Sequence, residues 1–279
     1  MSSETPSKWG DLGIRTASAL ILIPVVIACT WFGGLWFKGF VLLLTGLIAH
    51  EWATIVHPKN FAQYVLHMAS ALCGTVLPNM LSGEVAFLAI LGLALISGFM
   101  VRLGNSVSSK WSYFGICYVG FPAIALILLR SDPDYGFASL LWIFLIVWAA
   151  DILAYFAGRI IGGPKLAPII SPKKTWAGLC GAVAGSALSS SIFVYTTHLN
   201  GVLTLAILAG SLAIVEQLGD LFESALKRFH RVKDSGGLIP GHGGVIDRVD
   251  GLITVAVVAA LIGLFRDHGV SAARGLLHW

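Results

Sequence analysis

Long apolar runs separated by short polar joints dominate this chain. A helix needs about 20 predominantly apolar residues to cross a bilayer at a rise of 1.5 Å per residue. Runs that meet or approach this length cover residues 15–32, 35–56, 62–80, 84–101, 111–130, 137–158, 177–197, 202–222 and 251–267. The joints alternate between charge-poor (Gly33–Gly34, Ser82–Glu84, His198–Gly201) and basic (His57–Asn60, Arg102–Lys110). Two joints are long, Arg159–Trp176 and Glu223–Asp250. The pattern predicts an all-α membrane protein, a polytopic helical bundle of about nine transmembrane helices.

Composition makes a soluble fold untenable. Hydrophobic residues are 57% and charged residues 11% of the 279, where soluble domains carry about 25% charged residues. The mean hydropathy is +0.85. Cys29, Cys73, Cys117 and Cys180 lie scattered in apolar runs without ligand spacing, so neither zinc nor a disulfide is expected. The polar segment Met1–Gly13, with Asp11, does not resemble a cleavable secretion signal.

Net charge is only +4, and its placement says more than its size. With a cytoplasmic N-terminus, every Lys and Arg falls on the cytoplasmic side except Lys38, Arg130, Arg266 and Arg274. Both long joints then face the cytosol, and an odd number of spans leaves the C-terminus outside. No nucleic-acid partner is expected; the lipid bilayer is. Ionisable groups concentrate in the second half, with His50–Glu51 the exception in the first. Residues 1–135 read as an N-terminal transmembrane scaffold region and 136–279 as a C-terminal catalytic region with its site at the cytoplasmic face.

Charged groups beside hydrocarbon are costly and mark candidate sites. On the eighth run, Glu216, Asp220, Glu223/Ser224 and Lys227 share one helical face. The bland alternative is a solvated helix end. Downstream, Lys233-Asp-Ser-Gly-Gly-Leu-Ile-Pro-Gly-His-Gly-Gly244 offers backbone amides and cations suited to phosphate, although a glycine-rich connector would look similar. Asp247 and Asp250 follow at the start of the last span, where oxygen ligands suit Mg²⁺ held together with substrate phosphates. A third polar element runs from Asp151 and Tyr155 through Arg159 to Ser171-Pro-Lys-Lys-Thr175. Taken alone, its Lys173 and Lys174 could be no more than a topology anchor.

The run from Ser224 to Asp250 resembles the signature of the phosphatidate cytidylyltransferases, or CDP-diacylglycerol synthases. It matches at Ser224, Lys227, Arg228, Lys233, Asp234, Pro240, His242, Gly243, Gly244, Asp247, Arg248 and Asp250. Gly219-Asp220 and Ser171-Pro-Lys-Lys-Thr175 resemble the family too, and Ala177 departs from the Glu that many members carry. The resemblance implies transfer of CMP from CTP to phosphatidic acid with release of pyrophosphate, requiring Mg²⁺, with a monovalent cation such as K⁺ nearby. It implies Asp220 and Asp247 as metal ligands, with Asp250 and Asp234 as secondary ones. Lys227, Arg228, Lys233 and Arg248 would balance phosphate charge. Ser171, Lys173, Lys174 and Thr175, with Asp151, Tyr155, Ser224, Gly243 and Gly244, would bind substrate. His242 is a general acid, a phosphate donor or a turn residue. A homodimer in a bacterial inner membrane is also implied.

Other readings compete. A CTP-dependent polyprenol or phytol kinase would transfer the γ-phosphoryl group instead. A secondary transporter would place its ionisable groups near the midplane within a repeat, but here they cluster at helix ends and no repeat is visible. A purely structural scaffold gives no reason for the charge density of Glu216–Asp250.

Overall fold

Helices follow one another wherever the apolar runs predict them. The structure, a computed structural model, describes residues 8–103, 109–238 and 243–279. In chain order its elements are α1 (Lys8–Phe32), α2 (Gly34–Val56), α3 (Phe61–Met80), α4 (Gly83–Leu103), α5 (Ser109–Arg130) and α6 (Gly136–Ile160). A small antiparallel pair comes next, β1 (Lys165–Ala167) and β2 (Ser171–Thr175), with Lys165 opposite Thr175 and Ala167 opposite Ser171. Then come α7 (Trp176–Thr196), α8 (Val202–His230), α9 (Ile246–Arg266) and the short α10 (Ala272–Leu277).

Seven helices among the described residues are long and apolar enough to cross a membrane: α2 and α4 through α9. In α1 the apolar stretch is Leu20–Phe32. The polar residues of α3 face inward. Gln63, His67, Ser70 and Thr75 are all buried, and Gln63 Oε1 accepts from Ser97 Oγ and Ser112 Oγ, each at 2.6 Å. Buried polar groups need such partners, above all where water is absent. Exposed apolar side chains such as Leu35, Leu88, Leu95 and Phe99 mark the lipid-facing side.

Both long joints contain regular structure. The Arg159–Trp176 joint carries the β1–β2 hairpin. The Glu223–Asp250 joint shrinks, because α8 continues to His230 and α9 begins at Ile246. At 29 residues α8 is about 44 Å long by helical rise, against a hydrocarbon thickness of about 30 Å. Its final turns, Ser224 to His230, therefore belong to the membrane surface.

Small residues set the closest helix contacts. In lipid the association of helices depends on close packing and hydrogen bonds. On α7, Gly178, Gly181 and Gly185 lie along the face that meets α6. A Cβ on Gly181 would sit 2.5 Å from Ala157 Cβ and 2.6 Å from the Leu153 carbonyl oxygen. Ser186 Oγ donates to the Ile146 carbonyl at 2.7 Å, and Trp142 Nε1 donates to Ser190 Oγ at 2.9 Å. Around these contacts Leu129, Leu140, Ile143, Leu205, Leu212 and Val255 form the main core.

Three of the four cations outside the positive-inside pattern have local work to do. Arg130 donates to the Thr30 carbonyl at 2.6 Å and the Trp31 carbonyl at 3.1 Å, satisfying the end of α1. Arg266 donates to the carbonyls of Gly275 and His278 and lies over the Trp279 ring. Arg274 pairs with Asp267 at 2.9 Å. Gly181→Val is expected to force α6 and α7 apart and to cost about 1–3 kcal/mol. Thermal unfolding in detergent measures this, and an unchanged midpoint would contradict the packing account.

Candidate active site

Helix α8 carries a row of polar side chains one turn apart, and neighbouring elements supply their partners. Glu216, Gln217 and Glu223 are buried, and Asp220 is partly so. From β2, Lys174 reaches across: its Nζ lies 2.6 Å from Asp220 Oδ2 and donates to Gln217 Oε1 at 2.9 Å. Gln217 Nε2 then donates to Glu216 Oε2 at 2.7 Å. Asp151, on α6, lies beside Glu216. One turn toward the surface, Ser224 Oγ donates to Asp220 Oδ1 at 3.3 Å.

A second lysine holds α8 to α9. Lys227 Nζ lies 2.7 Å from Glu223 Oε1 and 2.7 Å from Asp247 Oδ1. Asp247 Oδ2 accepts the backbone amides of Ser235 and Gly244, each at 3.0 Å. Asp250, one turn further along α9, completes a cluster with Asp220 and Glu223 in which one carboxylate oxygen from each lies within 4.8 Å of the other two. Three acids this close repel unless a cation intervenes. An all-oxygen donor set of carboxylates is what a hard divalent cation such as Mg²⁺ requires. The residues therefore fit the ion that the sequence leads one to expect. Asp247, from the expected ligand set, stands beside the cluster and faces Lys227.

The cations gather above the acids. Lys173, Lys227, Arg228, Arg231 and Lys233 line a cleft of about 570 Å³ together with Ser171 and Ser224. The cleft forms because the β1–β2 hairpin leans toward the end of α8, where Arg228 Nε donates to the Ile170 carbonyl at 3.4 Å. Arg231 closes α8 in a left-handed conformation, φ 57°, which turns the chain toward Lys233.

Other expected residues are placed as follows. Thr175 is buried and caps α7, its Oγ1 accepting from the Gly178 amide at 3.1 Å, so its hydroxyl is engaged within the fold. Tyr155 is exposed and its hydroxyl accepts from Arg159 at 2.5 Å. Arg248 is exposed on the first turn of α9. Gly243 adopts φ +84° beside Asp247. His242 and Pro240 lie outside the described residues.

Sequence reasoning missed three groups. Glu51, in the half read as scaffold, is fully buried against residues 235–236 and 244–246. The one clue to it is an acid within an otherwise apolar run. Tyr118 on α5 brings a buried hydroxyl, without a hydrogen-bond partner among the described residues, within electrostatic reach of Asp250 and Glu223. Arg231 joins the cleft. An apolar groove of about 360 Å³ between α5, α8 and α9 runs beside this cluster, lined by residues including Phe114, Tyr118, Leu218, Phe222 and Val257. Trp52 and Trp111 brace Phe222 from behind, with Trp52 Nε1 donating to the Trp111 carbonyl at 3.1 Å. At the end of α2, burial first, then the neighbouring His67 and His230, push the His57 pKa down to about 4.

The chain is similar in sequence to known proteins. The sequence profile of the cytidylyltransferase family matches residues 13–265. The chain belongs to that family. A phosphatidate cytidylyltransferase of Brucella suis is 37% identical over 266 residues, covering 94% of this chain and 97% of its own. The Pseudomonas aeruginosa protein of that name is 34% identical over 260 residues, covering 89% and 96%. The Rickettsia bellii one is 30% identical over 264 residues, covering 91% and 92%. The match takes in both halves of the chain, so the N-terminal helices belong to the family as much as the charged segment does.

Lys227→Met would leave Glu223 and Asp247 facing each other without their shared cation. Breaking a mostly buried pair in this way costs on the order of 3 kcal/mol. Denaturant unfolding in detergent is expected to register that loss. Lys233→Met, at an exposed position of the same cleft, should change stability by less than about 0.5 kcal/mol.

Proposed function

We propose that this protein transfers CMP from CTP to phosphatidic acid, giving CDP-diacylglycerol and pyrophosphate, with Mg²⁺ required. One observation carries the reading: along α8 an apolar groove, an acid cluster and a cation-lined cleft adjoin one another. Leu218 and Phe222 line the groove, Asp220 and Glu223 join the acid cluster, and Ser224, Lys227 and Arg228 line the cleft. A lipid phosphate coming from the membrane and a nucleotide triphosphate coming from water would meet at the acids. The names of the relatives support the same substrates.

The chemistry asks little of a general base. The phosphatidate phosphate is already anionic at neutral pH. One of its oxygens forms a bond to the α-phosphorus of CTP, the bond from that phosphorus to the α–β bridging oxygen breaks, and pyrophosphate leaves with those electrons. The obstacle is repulsion between anions, which positioned charge relieves. Lys173, Lys227, Arg228, Arg231 and Lys233 hold the triphosphate and stabilise the departing pyrophosphate, and Arg248, on the first turn of α9, adds positive charge. Asp220, Glu223 and Asp250 would hold the Mg²⁺, with Asp247 alongside. When bound, that ion supplies Lewis-acid neutralisation of the phosphate oxygens. Lys174 keeps Asp220 aligned on the cluster. Tyr118 offers its hydroxyl to the lipid headgroup where the groove meets the acids. A K⁺ ion near the site and assembly as a homodimer complete the reading.

With CTP labelled separately at the α- and γ-phosphates, the α-label is expected in lipid and the γ-label in pyrophosphate, and EDTA should stop both. Entry of γ-label into lipid would mean a kinase and overturn the proposal. Asp220→Asn and Asp247→Asn should each lower turnover at least about 10²-fold while the protein remains inserted and folded, as judged by its melting midpoint. We place the site at the cytoplasmic face of a bacterial inner membrane. A cysteine at Lys173 should then react with an impermeant maleimide in inverted vesicles, above the level of the unsubstituted chain, and stay unreactive in intact cells.

A further inference from the structure

From the geometry we infer that Glu51, on α2, is a positioning residue for the acid cluster: it holds the N-terminus of α9, and thereby Asp247 and Asp250, in place against α8. This rests on the reading of the cluster as the metal site. Its side chain is 1% exposed. Oε1 accepts from the Val245 amide at 2.7 Å, while Oε2 accepts from the Ile246 amide at 2.9 Å and from Ser235 Oγ at 3.0 Å. Val245 and Ile246 open α9, whose first amides have no partner within the helix. Val245 has no side chain able to cap, so a carboxylate from a helix 194 residues earlier takes that role.

The surrounding segment is shaped to admit this carboxylate. A Cβ on Gly236 would lie 2.6 Å from Glu51 Oε1. A Cβ on Gly244 would overlap Ser235 Oγ, lie 2.6 Å from the Gly236 amide nitrogen and 2.8 Å from Glu51 Oε2. Two of the glycines that read as a phosphate nest are thus needed for close approach to a buried acid. Ser235 links this contact to the site. Its hydroxyl binds Glu51, its amide donates to Asp247 Oδ2, and Asp247 holds Lys227. Glu51 therefore sets the distance between the acid on α9 and the two on α8 without touching a substrate.

The test uses the full-length protein in detergent and Mn²⁺ alone as probe, with free ion read by electron paramagnetic resonance. Glu51→Gln keeps the shape but offers one acceptor oxygen where two are used, so an amide of α9 must move. Loss of a partner behind metal ligands typically costs 10–100-fold. The Mn²⁺ dissociation constant of Glu51→Gln should rise by that factor, and the KM for CTP should rise while the KM for phosphatidate stays within about twofold. A lowered melting midpoint with wild-type Mn²⁺ affinity would make Glu51 a mere brace and overturn the inference. If Glu51→Gln does not fold, Ser235→Ala, which removes one donor of three, should still weaken Mn²⁺ binding about threefold, and wild-type affinity there overturns it equally. A parent protein that binds Mn²⁺ yet transfers no α-label would sink the cytidylyl-transfer reading alone; one that binds no Mn²⁺ would sink this inference.

Discussion

Everything at the charged end of this bundle depends on how several carboxylates are held together at the edge of a low-dielectric medium. Asp220, Glu223, Asp247 and Asp250 sit on two helices that pack side by side. Their mutual repulsion grows as water is excluded. Lys174 and Lys227 offset part of it, the first reaching in from the hairpin and the second joining α8 to α9. Asp247 is further neutralised by two backbone amides. Asp220, Glu223 and Asp250 have less compensation for their proximity, which is why they suit a divalent cation. In the proposed reading the acids would attract metal, while the lysines hold the two helices and the hairpin together.

That arrangement needs α8 to serve two media along one helix. Its buried middle is flanked by an apolar groove, and its last turns carry the cations of the cleft. Length makes this feasible, since a helix of about 44 Å exceeds the hydrocarbon by about two and a half turns. Close contact through the glycines of α7 keeps α6 near enough for Asp151 to stand beside Glu216. In the proposed reading, substrates of opposite solubility then approach one point from different sides.

The N-terminal helices contribute more than a wall. Trp52 and Trp111 back Phe222, and Glu51 satisfies the first amides of α9. Both contacts come from residues that local pattern assigns to an apolar scaffold. They tie the position of α8 and α9 to α2 and α5, so the division at residue 135 describes where charge lies along the chain, while the packing joins the two parts at the site.

Much of this was legible in the residues alone. Hydrophobic run length determines that these segments become membrane helices, because a backbone in lipid must satisfy its own hydrogen bonds, and each expected run does coincide with a helix. The face of α8 bearing Glu216, Asp220, Glu223 and Lys227 follows from helical periodicity, and the family from the Ser224–Asp250 signature. Tertiary structure alone decided which acids meet. Glu223 joins Asp220 and Asp250 while Asp247 turns to Lys227, a choice made by the packing of two helices and by two loop amides. It also decided that Thr175 caps a helix, and that Gly236 and Gly244 make room for Glu51. Periodicity reports which face a residue occupies, whereas the partner across that face is set by packing between segments far apart in the chain.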